Sequence, residues 1–82
     1  MKYIKFKHRG FVVFEDTQEH KEIANIIGDE VESAGQVQLG IDRYENPEVI
    51  CFGESISLGV SANVEGETCD SNMLSLWMNG GY

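Results

Sequence analysis

Apolar and polar positions along the chain change period several times, and each change marks an element. From Met1 to His8 the order alternates, with Ile4 and Phe6 on one side and Lys5 and Lys7 on the other, as in a β-strand; Tyr3 falls on the lysine side. His8, Arg9 and Gly10 read as a tight turn, and Phe11 to Phe14 is β-branched and aromatic enough for a second strand buried on nearly both faces. The two predict an antiparallel hairpin. From Asp16 to Gly28 the period becomes helical: His20, Ile23, Ala24 and Ile27 line one side with Ile26 flanking, opposite Glu19, Lys21, Glu22 and Asn25. Asp16 with Glu19 three residues later predicts a capping box, with Thr17 as the other possible cap, and Gly28 a left-handed stop.

After this helix Asp29, Glu30 and Glu32 bracket Val31, and Ser33, Ala34 and Gly35 suit a bend or bulge. Alternation returns at Gln36, with Val37, Leu39 and Ile41 forming the expected buried side of a half-buried strand. Asp42 to Glu48 contains the only proline and reads as a surface loop, with Arg43 and Tyr44 at a candidate binding tip or Tyr44 folded back on the sheet. Val49 to Phe52 is a further strand. The most regular alternation runs from Ser55 to Val64, with Ile56, Leu58, Val60, Ala62 and Val64 against small polar residues, and predicts one continuous strand. A last short helix is expected from Asp70, its cap, through Met73, Leu74, Trp77 and Met78, ending at Asn79, Gly80 and Gly81. The expectation is a single α+β domain over residues 1–82. Its antiparallel sheet has four to five strands, one helix packs on one face, and a short C-terminal helix closes the fold.

The chain has 82 residues, and at that size roughly 60% of the unfolded surface can be buried, enough for one thin core. Charge adds more. Fourteen acids stand against six bases, and four of the bases, Lys2, Lys5, Lys7 and Arg9, precede every acid. A chain so acidic beyond Gly10 repels phosphate backbones, so direct nucleic-acid binding is not expected, whereas a partner with a basic surface is. Glu15, Asp16, Glu19, Glu22, Asp29, Glu30 and Glu32 crowd into one stretch, and carboxylates spaced along a helix and its flanks can imitate a phosphate backbone. They are the candidate partner-binding residues, with Tyr44 and Trp77. That expectation fails if Lys2, Lys5, Lys7 and Arg9 neutralise the cluster from across the sheet.

Reactive chemistry finds little support. Cys51, Cys69, His8 and His20 lack the close spacing of zinc ligands, and no stretch has the Asp/Asn/Gly order of a calcium loop, so no metal and no cofactor is expected. Gly53 to Ser57 lacks the second glycine of a nucleophile elbow. His20 lies on the apolar side of its helix, where a structural role is expected. With neither a signal-peptide pattern nor an apolar run long enough for a bilayer, the reading is a cytoplasmic protein with reduced thiols. The apolar C-terminal group Met73, Leu74, Trp77, Met78 and Tyr82 serves either as a lid on the core or as an interaction patch.

At Cys51 to Gly59 (Cys-Phe-Gly-Glu-Ser-Ile-Ser-Leu-Gly) and at Val31 to Gly35 the chain resembles small uncharacterised proteins carried by phages and prophages. In habit, as one compact acidic domain, it also looks like anti-CRISPR and other anti-defence proteins. The resemblance implies an inhibitor that acts by binding a protein complex; taken with the acidic cluster, the expectation is a non-enzymatic inhibitor that blocks a basic, nucleic-acid-binding surface of a host complex. The alternative is a self-assembling accessory protein, a homodimer for example, joined through the Ser55 to Val64 strand or the C-terminal apolar patch.

Overall fold

The structure, a computed structural model, describes residues 1–79. A four-stranded sheet is built from β1 (Lys2–Phe6), β2 (Gly10–Phe14), β3 (Val31–Ile41) and β4 (Pro47–Phe52) in the order β2-β1-β3-β4, every neighbouring pair antiparallel. Helix α1 (His20–Ile27) joins β2 to β3. A second sheet of two short strands, β5 (Glu54–Ser55) and β6 (Val60–Ser61), precedes α2 (Asp70–Met78). The α+β class and the antiparallel sheet are as the alternation predicts.

Strand β1 is central, and its alternation divides the core in two. Ile4 and Phe6 face α1 and pack with Phe14, Ala34, Ile23, Ala24 and Ile27. Tyr3 points the other way, to Val37, Cys51 and Leu74 of α2. A helix therefore lies on each face, and β1 has no solvent side. Lys5 shares the Tyr3 side and extends outward beside the Phe11 ring, its Nζ 5.8 Å from the centroid.

Helix α1 differs from the expectation at its start. Its N-cap is Glu19, in an extended conformation with no side-chain cap bond, and neither Asp16 nor Thr17 caps it. Residues 15–18 form a turn closed by Gln18 N–H on the Glu15 carbonyl at 3.1 Å, and the Asp16 carboxylate is engaged elsewhere, 3.2 Å from the Met1 ammonium. The helix end matches its signal: Gly28 has φ +72° and donates to the Ala24 carbonyl at 2.9 Å. Helix α2 is likewise capped by Cys69 rather than Asp70, which is its first residue and fully buried. Gly80, Gly81 and Tyr82 lie outside the described residues.

Two strand expectations are corrected. Strand β3 begins at Val31, not Gln36; the irregularity lies at Glu32, where Lys5 pairs with Ser33 but Phe6 pairs with Val31. Ser55 to Val64 is not one strand. Ile56–Gly59 is a turn between β5 and β6, with Gly59 at φ +69° donating to the Ser55 carbonyl at 2.9 Å and the Leu58 N–H held by Ser55 Oγ at 3.3 Å. Leu58 and Val60 still reach the α1 side of the core, while Ile56 is turned out at 88% exposure. Serine and glycine at the polar positions suit a turn as well as a strand, so the period alone could not separate them.

The longest strand gives the molecule its shape. β1 covers β3 only from Val31 to Gln36, with one further bond from Val37 N–H to the Met1 carbonyl. The rest of β3 pairs with β4 alone, forming a two-stranded arm on a molecule measuring 38 × 26 × 21 Å.

Candidate functional site

Two surfaces compete as the site: the acidic stretch from Glu15 to Glu32, and the arm. In the acidic stretch the structure pairs four of the seven carboxylates. Glu32 lies 3.6 Å from Lys5 Nζ, Glu30 lies 3.4 Å from Lys7 Nζ, and Asp16 holds the Met1 ammonium. Asp29 is the most firmly held. Its Oδ2 accepts the backbone N–H groups of His8 and Arg9, each at 2.9 Å, while its Oδ1 accepts Glu30 N–H at 2.7 Å and faces His8 Nδ1 at 2.9 Å. The antiparallel pairing of β1 with β3 sets the contacts of Asp29, Glu30 and Glu32, because it lays the basic strand beside the acidic start of β3, while the β1–β2 hairpin brings Asp16 to Met1. Each exposed pair is worth only about 0–1 kcal/mol. Together they remove the continuous bare negative strip that the sequence implied. Glu15, Glu19 and Glu22 have no cationic partner within 4.0 Å among the described residues.

The pair at the β1–β2 turn makes a pH prediction. The hydrogen bond to Asp29 and then its charge raise the His8 pKa above the ordinary 6.5. The bond from His8 and the backbone donors of Arg9, His8 and Glu30 hold the Asp29 carboxyl well below its usual range. A raised histidine stabilises the folded state in full below pH 6.5 and loses that contribution as pH rises through its folded value. A depressed carboxyl contributes above pH 3.8 and fades as pH falls towards its folded value. The charged pair is therefore at full strength between these two values and weakens on either side. In an NMR titration His8 should titrate above 6.5 and return towards it in Asp29→Asn; no change in that variant would contradict the assignment.

The arm is apolar where the sequence reading expected a buried face. Of Val37, Leu39 and Ile41, only Val37 is buried; the other two lie beyond the reach of β1 and α2. With Tyr44 at the tip, and Ile50 and Phe52 on the opposite face, they range from 42% (Ile50) to 72% (Tyr44) exposed. Tyr44 does not fold back on the sheet. The Arg43 guanidinium lies 5.4 Å from its ring centroid, and Asp42 Oδ1 fixes the loop by accepting the Tyr44 and Asn46 N–H groups at 2.8 and 3.0 Å. Glu45, at φ +63°, holds a left-handed conformation uncommon for a residue other than glycine. Leu39, Ile41, Ile50 and Phe52 were missed as surface residues. Leu39 and Ile41 are uncovered because β3, at 11 residues, overhangs the 5-residue β1.

Trp77 forms part of the lid on the core and is still half exposed. Its ring lies over Gly10 and meets Phe11 edge-on, centroids 6.4 Å apart, closing the Tyr3 side of the core, yet it stays 54% exposed.

The interior polar groups tie elements together. Tyr3 O–H donates to Asp70 Oδ2, which also accepts Asn63 N–H at 3.0 Å, and Cys51 N–H donates to Ser71 Oγ at 2.8 Å. Burial, then the bond to Asp70 and its charge, raises the Tyr3 pKa far above its ordinary value. Burial and the Asp70 charge push the Cys51 thiol up to about 11, which leaves it protonated and a poor nucleophile at neutral pH. Cys51 and Cys69 are both free. His20 is buried with Nε2 bonded to the Gly35 carbonyl at 3.0 Å and its ring edge-on to Phe14, a structural position. Among the described residues no three His, Cys, Asp or Glu side chains converge to hold a metal ion, and no helix is long and apolar enough to cross a membrane.

In comparisons with known proteins, no family model matched the chain, and no curated protein or solved structure matched it.

Proposed function

We propose that this chain is a non-enzymatic protein-binding module that meets its partner with the β3–β4 arm. Glu15, Glu19, Glu22, Glu45 and Glu48 supply a negative field that favours a basic surface. The observation that carries the reading is the arm itself: Leu39, Ile41, Tyr44 and Ile50 stand in water on a two-stranded projection, with Phe52 exposed at its base, and a domain this small gains nothing by exposing them. Aromatic and aliphatic anchors with a charged rim are the composition of a protein interface. The resemblance to phage-borne proteins favours an inhibitor that binds a host complex, and the acids without a cationic partner among the described residues favour a basic, nucleic-acid-binding surface on it. Four of the acids proposed to imitate a phosphate backbone have cations at home, so the arm leads and the carboxylates steer.

Affinity capture with the tagged chain tests this by comparing variants. Ile41→Asp with Tyr44→Ala should lose the partner, since a central interface anchor is worth about 2 kcal/mol or more, roughly 30-fold in affinity. Removing Glu15, Glu19 and Glu22 together as glutamines should leave binding in place but flatten its salt dependence. In the parent, raising salt from about 100 mM to about 1 M cuts the screening length from about 10 to about 3 Å and should weaken the complex. Full capture by the arm variant would refute the reading. A stable oligomer of the chain alone, lost in the arm variant, would favour self-assembly instead.

A further inference from the structure

The arm has two free backbone edges, and they are not equivalent. Val37 N–H bonds to Met1, so by the two-residue alternation of a strand the N–H and C=O groups of Leu39 and Ile41 point the same way, beyond the end of β1. No strand lies there among the described residues. On the outer edge of β4 the corresponding positions are Pro47, Val49 and Cys51. Proline has no N–H, and the Cys51 N–H is taken by Ser71 Oγ at 2.8 Å, which among the described residues leaves Val49 as the one free donor of this edge. The β4 edge is thus blunted, whereas the β3 edge offers two donors and two acceptors in line with β1.

We infer that the β3 edge at Leu39 and Ile41 accepts an extended peptide segment of a partner protein, added as a strand in continuation of β1 and reading apolar–basic–apolar. Backbone pairing fixes the extended form. Residues opposite Leu39 and Ile41 place their side chains beside those two exposed apolar groups. The residue between them lies on the other face, opposite Gly40. A Cβ built at Gly40 meets nothing within 4 Å, and Glu48 is its cross-strand neighbour on β4. With strands about 4.8 Å apart, a Lys or Arg side chain crossing Gly40 spans the roughly 10 Å to the Glu48 carboxylate, which has no cationic partner within 4.0 Å among the described residues.

A second copy of this chain does not fit the site. Its apolar–Lys–apolar triplets, Met1-Lys2-Tyr3 and Ile4-Lys5-Phe6, belong to the β1 strand, both of whose edges are already paired, and each copy has a net charge of −8. The inference rests on the arm being the contact surface and specifies what it contacts.

The test uses a short capped synthetic peptide with a Val-Lys-Val centre flanked by threonines, titrated into the intact protein and followed by amide NMR and hydrogen exchange. Saturable shifts and slowed exchange at Leu39 and Ile41 are expected. Binding should be at least about tenfold weaker for the Val-Glu-Val peptide, for a peptide N-methylated at its pairing positions, and for the parent peptide on Glu48→Lys. Unchanged Leu39 and Ile41 amides, effects centred on Val49, equal binding of the Lys and Glu peptides, or a dimer formed through these amides would each overturn the inference. If the arm variant loses its captured partner while the peptide fails to bind, the strand-addition site falls and the arm reading stands. Peptide binding with capture indifferent to the arm would sink that reading alone.

Discussion

Tyr3→Phe is expected to destabilise the protein by about 3 kcal/mol, more than the removal of one hydroxyl ordinarily costs. The reason is its partner. Asp70 is fully buried, has no cation within 4.0 Å among the described residues, and has one oxygen, Oδ1, without any hydrogen-bond partner. Oδ2 relies on Tyr3 O–H and Asn63 N–H. Removing the phenol leaves the packing among Val37, Cys51 and Leu74 nearly unchanged but deprives a desolvated carboxylate of one of two donors. In an Asp70→Asn background the same substitution should cost about 1 kcal/mol, as for a neutral bond, so a double-mutant cycle by urea denaturation isolates the coupling. A loss below about 1 kcal/mol in the parent would show that the carboxylate does not depend on Tyr3.

The second large effect is Gly35→Ala, also expected to cost about 3 kcal/mol, at the upper end of overpacking penalties. A Cβ at Gly35 would run into the Phe52 backbone carbonyl, where the chain turns from β4 into Gly53, and backbone cannot swing aside as a side chain can. The position is pinned from other directions too: Gly35 pairs with Tyr3, and its carbonyl accepts from His20 of α1. Gly40→Ala in the same strand is the control, since its Cβ meets nothing within 4 Å. It should be neutral or stabilising by about 0.5 kcal/mol, because alanine restricts the unfolded chain. Equal effects at the two sites would mean that β3 and β4 do not approach closely at Gly35.

These two glycines show where sequence reading stops. The alternation put Gly40 inside a strand and Gly35 in a bend before it, yet both sit in β3, and only the path of residues 52 and 53 past Gly35 makes one position crowded and the other open. The alternation of β1 was legible, down to Tyr3 lying opposite Ile4 and Phe6, because both faces of a central strand must be filled. The stop at Gly28 was legible because a left-handed residue is needed there. The Asp16 cap failed because residues 15–18 fold into their own turn ahead of the helix, whose N-cap is Glu19, and the Asp16 carboxylate lies instead beside the Met1 ammonium. The seven crowded acids were visible as charge, but the pairing of Glu32, Glu30 and Asp29 with Lys5, Lys7 and His8 depended on which strand lies beside β3, a pairing that local pattern does not set. Leu39 and Ile41 failed for the opposite reason. Their alternation suits a buried face, and only the mismatch between an 11-residue β3 and a 5-residue β1 leaves them without a cover.

Hydrogen exchange on the captured complex addresses the central claim most directly, since it reports which backbone segments the partner covers. The arm account predicts slowed exchange across residues 38–50, centred on Leu39, Ile41 and Tyr44, with the 19–28 helix segment nearly unchanged. Protection confined to residues 15–32, with the arm exchanging as in the free protein, would contradict it and return the interface to the carboxylates of the first helix.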